Sequence, residues 1–121
     1  MKIFFGLGAL FAALGVAFGA FGAHALRGSL GAADLATFET GVRYQMYHAF
    51  GLFVVAWATT QWSAATVHAA GWAFVVGTVV FSGSLYVLVL SGARWLGAVT
   101  PIGGVAFITG WALLAWSAIR G

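Results

Sequence analysis

The sequence predicts an all-α integral membrane protein, a four-helix bundle in a single transmembrane domain over residues 1–121. Composition is the first observation: five Lys or Arg and two Asp or Glu stand among 121 residues, and 63% are apolar. Soluble domains carry about a quarter charged residues, and a chain this small leaves much of its surface exposed, so lipid must cover most of it. The second observation is three long uncharged runs, 3–26, 44–93 and 95–119. None alternates polar and apolar residues as the strands of a membrane barrel do.

The lengths of the runs give the number of helices. A helix needs roughly 20 residues to cross a hydrocarbon core of about 30 Å. The first and third runs therefore hold one span each, at about 3–25 and 98–119. The middle run holds two, at about 42–62 and 67–90, with a turn in the more polar stretch 61–66. Backbone groups in lipid need internal partners, so the spans are predicted to be helices.

The first span has an alternative interpretation as a signal peptide. Lys2, an apolar stretch and the small-x-small motif around His24 fit that pattern. The apolar stretch is longer than the usual 7–15 residues. We therefore interpret it as the first membrane helix, and its cleavage stays an open alternative.

The connection 27–43 is predicted to form a short amphipathic segment between helices one and two. Three apolar residues share one helical face at i, i+3 and i+7: Leu35, Phe38 and Val42. Asp34 is a predicted N-cap, and Gly41 is a candidate hinge if the segment is instead the projecting base of helix two. For helix four, Thr100 is a predicted cap and Pro101 suits the first turn.

Glycine is abundant, with 18 residues, about twice the usual share. Small residues let helices approach closely in lipid, where hydrophobicity does not drive association. Six glycines at small-residue spacings are predicted to pack helices together: Gly8, Gly15, Gly19, Gly77, Gly103 and Gly110. The interface they form is either within one bundle or between two copies of the chain.

Polar residues concentrate on one membrane face, which holds the first and third connections and is called here the two-loop face. The candidate cluster comprises His24, Arg27, Glu39, Arg43, Tyr44, Tyr47, His48 and Tyr86. Glu39 and Arg43 lie four apart, a spacing that favours an ion pair on a helix. The cluster is either an anchor at the lipid headgroups or a small polar pocket. Three Arg at this face against Lys2 and Arg120 at the other do not fix the orientation, although they favour a cytoplasmic two-loop face.

Little in the sequence points to a cofactor or an enzyme. His24 and His48 fall at similar depth on neighbouring helices, which makes bis-imidazole haem ligation an alternative. No metal site is predicted, because the carboxylates lie outside the spans and the chain has no cysteine. The net charge of +3 is too small for the dense basic face of a nucleic-acid-binding protein. No nucleophile, base and orienting group occur together.

Four stretches carry a resemblance to a known family. They are 19–26 (GAFGAHAL), 37–49 (TFETGVRYQMYHA), 83–86 (GSLY) and 100–104 (TPIGG). In these the chain resembles the YgdD/YwdK-type family of small multi-pass membrane proteins, a domain of unknown function. The resemblance implies a four-helix protein of the bacterial inner membrane. It brings no established activity and no catalytic residue.

Function is therefore expected to be non-enzymatic. The sequence favours a scaffold or accessory component that contacts membrane lipid or a protein partner, which is either a second copy or another membrane protein. One alternative is a small permeation or solute-binding protein whose mouth is the cluster at the two-loop face. A haem or quinone protein is a further alternative, although no cofactor is expected.

Overall fold

The computed structural model describes residues 1–121 and contains four long helices and no strand. α1 is Lys2–Phe21 and continues through a π-helical turn, Gly22–Leu26. α2 is Ala32–Ala58 and α3 is Ala64–Ser91. A 3-10 turn, Arg94–Ala98, precedes α4, Thr100–Arg120. The predicted all-α four-helix architecture is confirmed.

Of the two interpretations of the segment before the second span, the base of helix two is confirmed, although the helix starts about ten residues earlier than the predicted span. α2 begins at Ala32 rather than near residue 42 and runs without a break, so Gly41 is not a hinge. The amphipathic stripe of 35–42 does not lie on the membrane surface, because Phe38 is buried in a small core with Leu26 and Leu88. The stripe is the base of α2, and the bundle itself covers its apolar face.

The two predicted caps were also wrong. Gly31 occupies the N-cap position of α2, and no side chain caps that helix. Val99 precedes α4, and the Thr100 hydroxyl hydrogen-bonds Leu96 O and Ser84 Oγ instead of a first-turn amide. Pro101 does lie in the first turn of α4, where its missing N–H has no partner to lose.

Three helical segments are long and apolar enough to cross a membrane: Lys2–Leu26, Ala64–Ser91 and Arg94–Arg120. α2 is more polar, yet its 27 residues give a length of about 40 Å. It packs along both α1 and α3. We infer that α2 crosses with them: Gln45 and His48 near its middle are buried by the neighbouring helices, while Glu39 and Arg43 are exposed in its first half, toward the end that begins at Ala32.

The helices pack in chain order, α1 on α2, α2 on α3 and α3 on α4. α2 and α3 form the centre, and α1 and α4 flank them. The main core lies toward the face that holds the 59–63 turn, and its fully buried residues are Phe4, Leu52, Val55, Ala58, Val67, Ala70 and Phe74. α1 reaches α3 at two places, through Phe4 at one end and Phe18 at the other.

The six packing glycines face neighbouring helices of the same chain. A Cβ on any of them would come within 3.4 Å of an atom on another helix. The contacts on α2 are Gly8 with Ala49, Gly15 with Met46 and Gly19 with Val42, and those between α3 and α4 are Gly77 with Phe107, Gly103 with Phe81 and Gly110 with Phe74. The chain's own helices therefore occupy these glycines, which leaves no room there for a second copy.

Candidate functional site

The eight residues of the predicted cluster do not converge on one pocket. His24, Arg27, Glu39, Arg43, Tyr44 and Tyr47 are exposed around the outside of the bundle, His48 is buried and Tyr86 is half-buried. The cavity beside Tyr86 at this face measures about 120 Å³ and is lined by Phe18, Phe21, Phe38, Tyr86 and Leu90. These residues do not form the polar opening for solutes that the permeation alternative requires.

The ion pair at the two-loop face also differs from the predicted one. Glu39 and Arg43 do not pair. Instead Arg94 Nη1 donates to Asp34 Oδ1 at 3.0 Å and Nη2 donates to Oδ2 at 3.3 Å. This bidentate pair ties the first turn of α2 to the 3-10 turn before α4. The Arg94 side chain is 67% exposed, so solvent screens the pair and it contributes little to stability.

His48 lies in an aromatic layer between α2 and α4. Its ring stacks on Phe107 with 3.5 Å between the ring centroids. The Nδ1 hydrogen bond to Tyr44 O is 2.8 Å, and Trp111 Nε1 lies 3.0 Å from Nε2. A carbonyl can only accept and an indole N–H can only donate, so the imidazole is neutral with its proton on Nδ1.

The haem alternative needs a free nitrogen on His48. Both ring nitrogens are engaged inside the bundle, while His24 is exposed on the π-helical turn at the end of α1. The two imidazoles therefore do not face a common site. The sequence allowed joint haem ligation by His24 and His48 because both fall at a similar depth in the membrane. The structure does not support it, because the two side chains face different neighbours.

A second set of polar contacts joins α1, α2 and α3, and we call its residues Gln45, Thr78, Ser82 and Tyr86 the polar seam. Gln45 Nε2 donates to Phe11 O at 2.9 Å, and its Oε1 accepts from the Tyr86 hydroxyl at 2.6 Å. Ser82 Oγ donates to Gly41 O, also at 2.6 Å. These contacts hold three helices in register with neutral groups.

The fourth member of the polar seam has no partner. Thr78 is 4% exposed, and its Oγ1 is the one buried side-chain polar atom without a hydrogen bond. It lines an open groove between α1 and α3 together with the other three seam residues. A buried hydroxyl without a partner is unfavourable, so a molecule that accepted a hydrogen bond from it would relieve that cost.

Sequence reasoning missed most of the polar seam, although a signal was present. Thr78, Ser82 and Tyr86 recur at i, i+4 and i+8 on the apolar α3, which places them on one face of the helix. Only Tyr86 was singled out. Gln45 sits among the polar residues that begin the second span, and its role depends on contacts to α1 and α3 that no local pattern gives.

The seam and the His48 layer offer hydrogen bonding between neutral groups. No three His, Asp or Glu side chains lie close enough to hold a metal ion. The seam residues that are paired bind one another or a main-chain carbonyl. The arrangement can therefore fix helices and accept a hydrogen-bonding molecule at Thr78.

Known proteins resemble this chain over nearly its full length. The UPF0382 membrane protein YwdK of Bacillus subtilis is 49% identical, across 99% of this chain and 98% of YwdK. A UPF0382 membrane protein of Staphylococcus epidermidis is 47% identical over the same shares. The UPF0382 inner membrane protein YgdD of Escherichia coli is 43% identical, across 87% of this chain and 80% of YgdD.

No solved structure matches the chain. The family model described as "Protein of unknown function (DUF423)" matches residues 18–104. This range includes the stretch 37–49 on α2, the polar seam and the start of α4. The resemblance inferred from the four sequence stretches is confirmed, and the chain belongs to the DUF423 family of multi-pass membrane proteins.

Proposed function

We propose that the chain is a non-enzymatic scaffold or accessory component of the bacterial inner membrane, and that it binds a transmembrane helix of a partner protein on the outer face of α1. The relatives support the membrane location, since YgdD is named an inner membrane protein. Neither the family description nor the relatives' names carry an enzymatic activity.

The outer face of α1 is the observation that carries the proposal. A narrow strip on the side opposite α2 carries five exposed small residues, Gly6, Ala9, Ala13, Ala17 and Ala20, and the exposed side chains of Leu10 and Val16 border it. The inner side holds the buried Phe4, Gly8 and Gly15. α1 is also the least covered span, with 17% of its most apolar stretch buried against 44% in α3.

The outer face of α4 is different and serves as a comparison. Ile102, Val105 and Ile108 are each more than 60% exposed there. Such large side chains suit contact with lipid tails, whereas the strip of Gly and Ala between Leu10 and Val16 on α1 lets another backbone approach closely and gain van der Waals contact. The contrast between two flanking helices of one bundle supports a helix partner for α1 and lipid for α4.

A photo-crosslinking experiment in native membranes tests this proposal. A photoreactive phenylalanine analogue is introduced at Ala13 on α1, and at Ile108 on α4 as the matched control. Both positions are exposed, so neither substitution disturbs the bundle. We expect one discrete protein adduct from position 13 and lipid adducts from position 108.

Two outcomes would contradict the proposal. Equal adduct patterns at the two positions would mean that the small-residue face has no special partner. A position-13 product at twice the mass of the chain would identify the neighbour as a second copy, which replaces the accessory role with self-association.

A further inference from the structure

The groove between α1 and α3 lies between two places where aromatic side chains of α1 contact α3. Phe4 bridges them at one end and Phe18 at the other. Between these contacts a cavity of about 200 Å³ opens between the helices. Its rim includes Leu14 and Val79, which are 39% and 61% exposed, so the groove opens sideways to the lipid.

The groove is lined by a hydroxyl residue that lacks a hydrogen bond common among the Ser and Thr residues of these helices. Six Ser or Thr hydroxyls donate to the carbonyl four residues back: Thr37, Thr40, Ser91, Thr100, Thr109 and Ser117. Thr78 makes no such bond to Phe74 O, and its Oγ1 is buried without any partner. Because the Thr78 residue lines the groove and its buried hydroxyl lacks the hydrogen bond that such groups normally make, we take this hydroxyl as the donor that a molecule in the groove would engage.

A second donor borders the same groove. The Gln45 amide has two N–H groups, and one of them donates to Phe11 O while Oε1 accepts from Tyr86. The other N–H is unused. Both donors lie near the middle of their helices, in a groove without a charged residue.

These features define the chemistry of a ligand. Two donors call for an acceptor such as a carbonyl oxygen, and the absence of charge excludes an ionic lipid headgroup. Aromatic rings of Phe18 and Tyr86 form part of the wall, and an added Cβ at Gly83 would meet nothing within 4 Å. The wall therefore has room for a flat ring, while an apolar tail can lie in the open bilayer.

We propose that the groove between α1 and α3 binds a neutral prenylated quinone, with a ring carbonyl accepting hydrogen bonds from Thr78 and Gln45. The proposal concerns binding alone and is independent of the partner helix on α1, which would pack on a different face of that helix. A quinone protein was one of the alternatives that the sequence left open, but the sequence did not indicate this groove as the site.

Binding to purified protein in phosphatidylcholine nanodiscs tests the proposal. The probe is a menaquinone with a geranylgeranyl tail, and geranylgeraniol is the matched probe that has the tail without the ring. Bound ligand is measured per protein after affinity capture, with empty nanodiscs as background. We expect saturable binding of the quinone and at least tenfold weaker binding of the alcohol.

Two variants and a control separate recognition from folding. Thr78→Val removes the hydroxyl and keeps the shape, so we expect about tenfold weaker quinone binding, as for one lost hydrogen bond. Gly83→Leu fills open space and should abolish binding. Thr109→Val, on the exposed side of α4, should bind as the unaltered protein does.

The melting temperature without quinone distinguishes loss of the site from loss of the fold. Thr78→Val should melt at the same temperature or higher, because it removes an unpaired buried hydroxyl. No saturable quinone binding by the unaltered protein would overturn the proposal. Equal binding of the alcohol, or unchanged binding in both groove variants, would overturn it as well.

Discussion

Gly103 on α4 is the sharpest single test of how the helices pack. A Cβ at this position would lie 2.7 Å from Phe81 Cβ and 2.8 Å from Phe81 Cα, and would also clash with the Phe81 main-chain nitrogen. These atoms belong to α3 and cannot rotate away. Gly103→Ala therefore forces the two helices apart by about 0.7 Å, enough to lose a quarter to a half of the attraction of each contact affected.

The expected magnitude follows from two opposing effects. Overpacking costs about 1–3 kcal/mol, and rigid backbone places this site toward the upper end. Alanine regains about 1 kcal/mol of helix propensity over glycine. We expect a net loss of about 2 kcal/mol in the free energy of unfolding.

The neighbouring Gly104 provides the matched control. Its nearest contact for an added Cβ is Phe81 Cδ2 at 4.0 Å, so Gly104→Ala should keep the gain of up to about 1 kcal/mol. Both variants are unfolded with SDS in mixed micelles, and helix content is followed by circular dichroism. Equal stabilities, or a less stable Gly104→Ala, would refute the packing of α3 on α4 described above.

The hydrogen-bonded layers give two further predictions. Trp111→Phe should lower the free energy of unfolding by about 1–3 kcal/mol, because it leaves Nε2 of the buried His48 without its donor. The control is Trp116→Phe, at an exposed position, which should change the free energy of unfolding little in the same SDS titration. Gln45→Leu should destabilise by a similar amount by stranding the Tyr86 hydroxyl, and adding Tyr86→Phe should recover part of the loss. A double-mutant cycle that shows purely additive effects would contradict the contact between these two side chains.

The four helices could be predicted because charge and hydropathy alone decide which segments cross a membrane. Two runs, bounded by Lys2 and Arg27 and by Arg94 and Arg120, placed the first and last spans, and the run 44–93 divided at the polar stretch 61–66 placed a third. The base of α2 could not be read in this way. Phe38 is buried by Leu26 and Leu88, contacts from other helices that make one continuous helix out of what looked like a surface segment.

The candidate site was harder to predict, because its contacts join residues far apart in the chain. Asp34 looked like a local cap, yet its partner is Arg94, 60 residues away. Glu39 and Arg43 had ideal local spacing and remain unpaired at the exposed surface. Local spacing shows which residues can pair, whereas the packing of the helices decides which do.

The most direct test of the bundle is the membrane side of each connection. The chain contains no cysteine, so single cysteines at Ser29, Ser63 and Ser91, all exposed, can be labelled cleanly with a membrane-impermeant maleimide in spheroplasts and in inverted vesicles. If α2 crosses the membrane, Ser29→Cys and Ser91→Cys react from one side and Ser63→Cys reacts from the other. If Ser29→Cys and Ser63→Cys react from the same side, opposite to Ser91→Cys, then α2 does not cross and the four-span bundle is wrong.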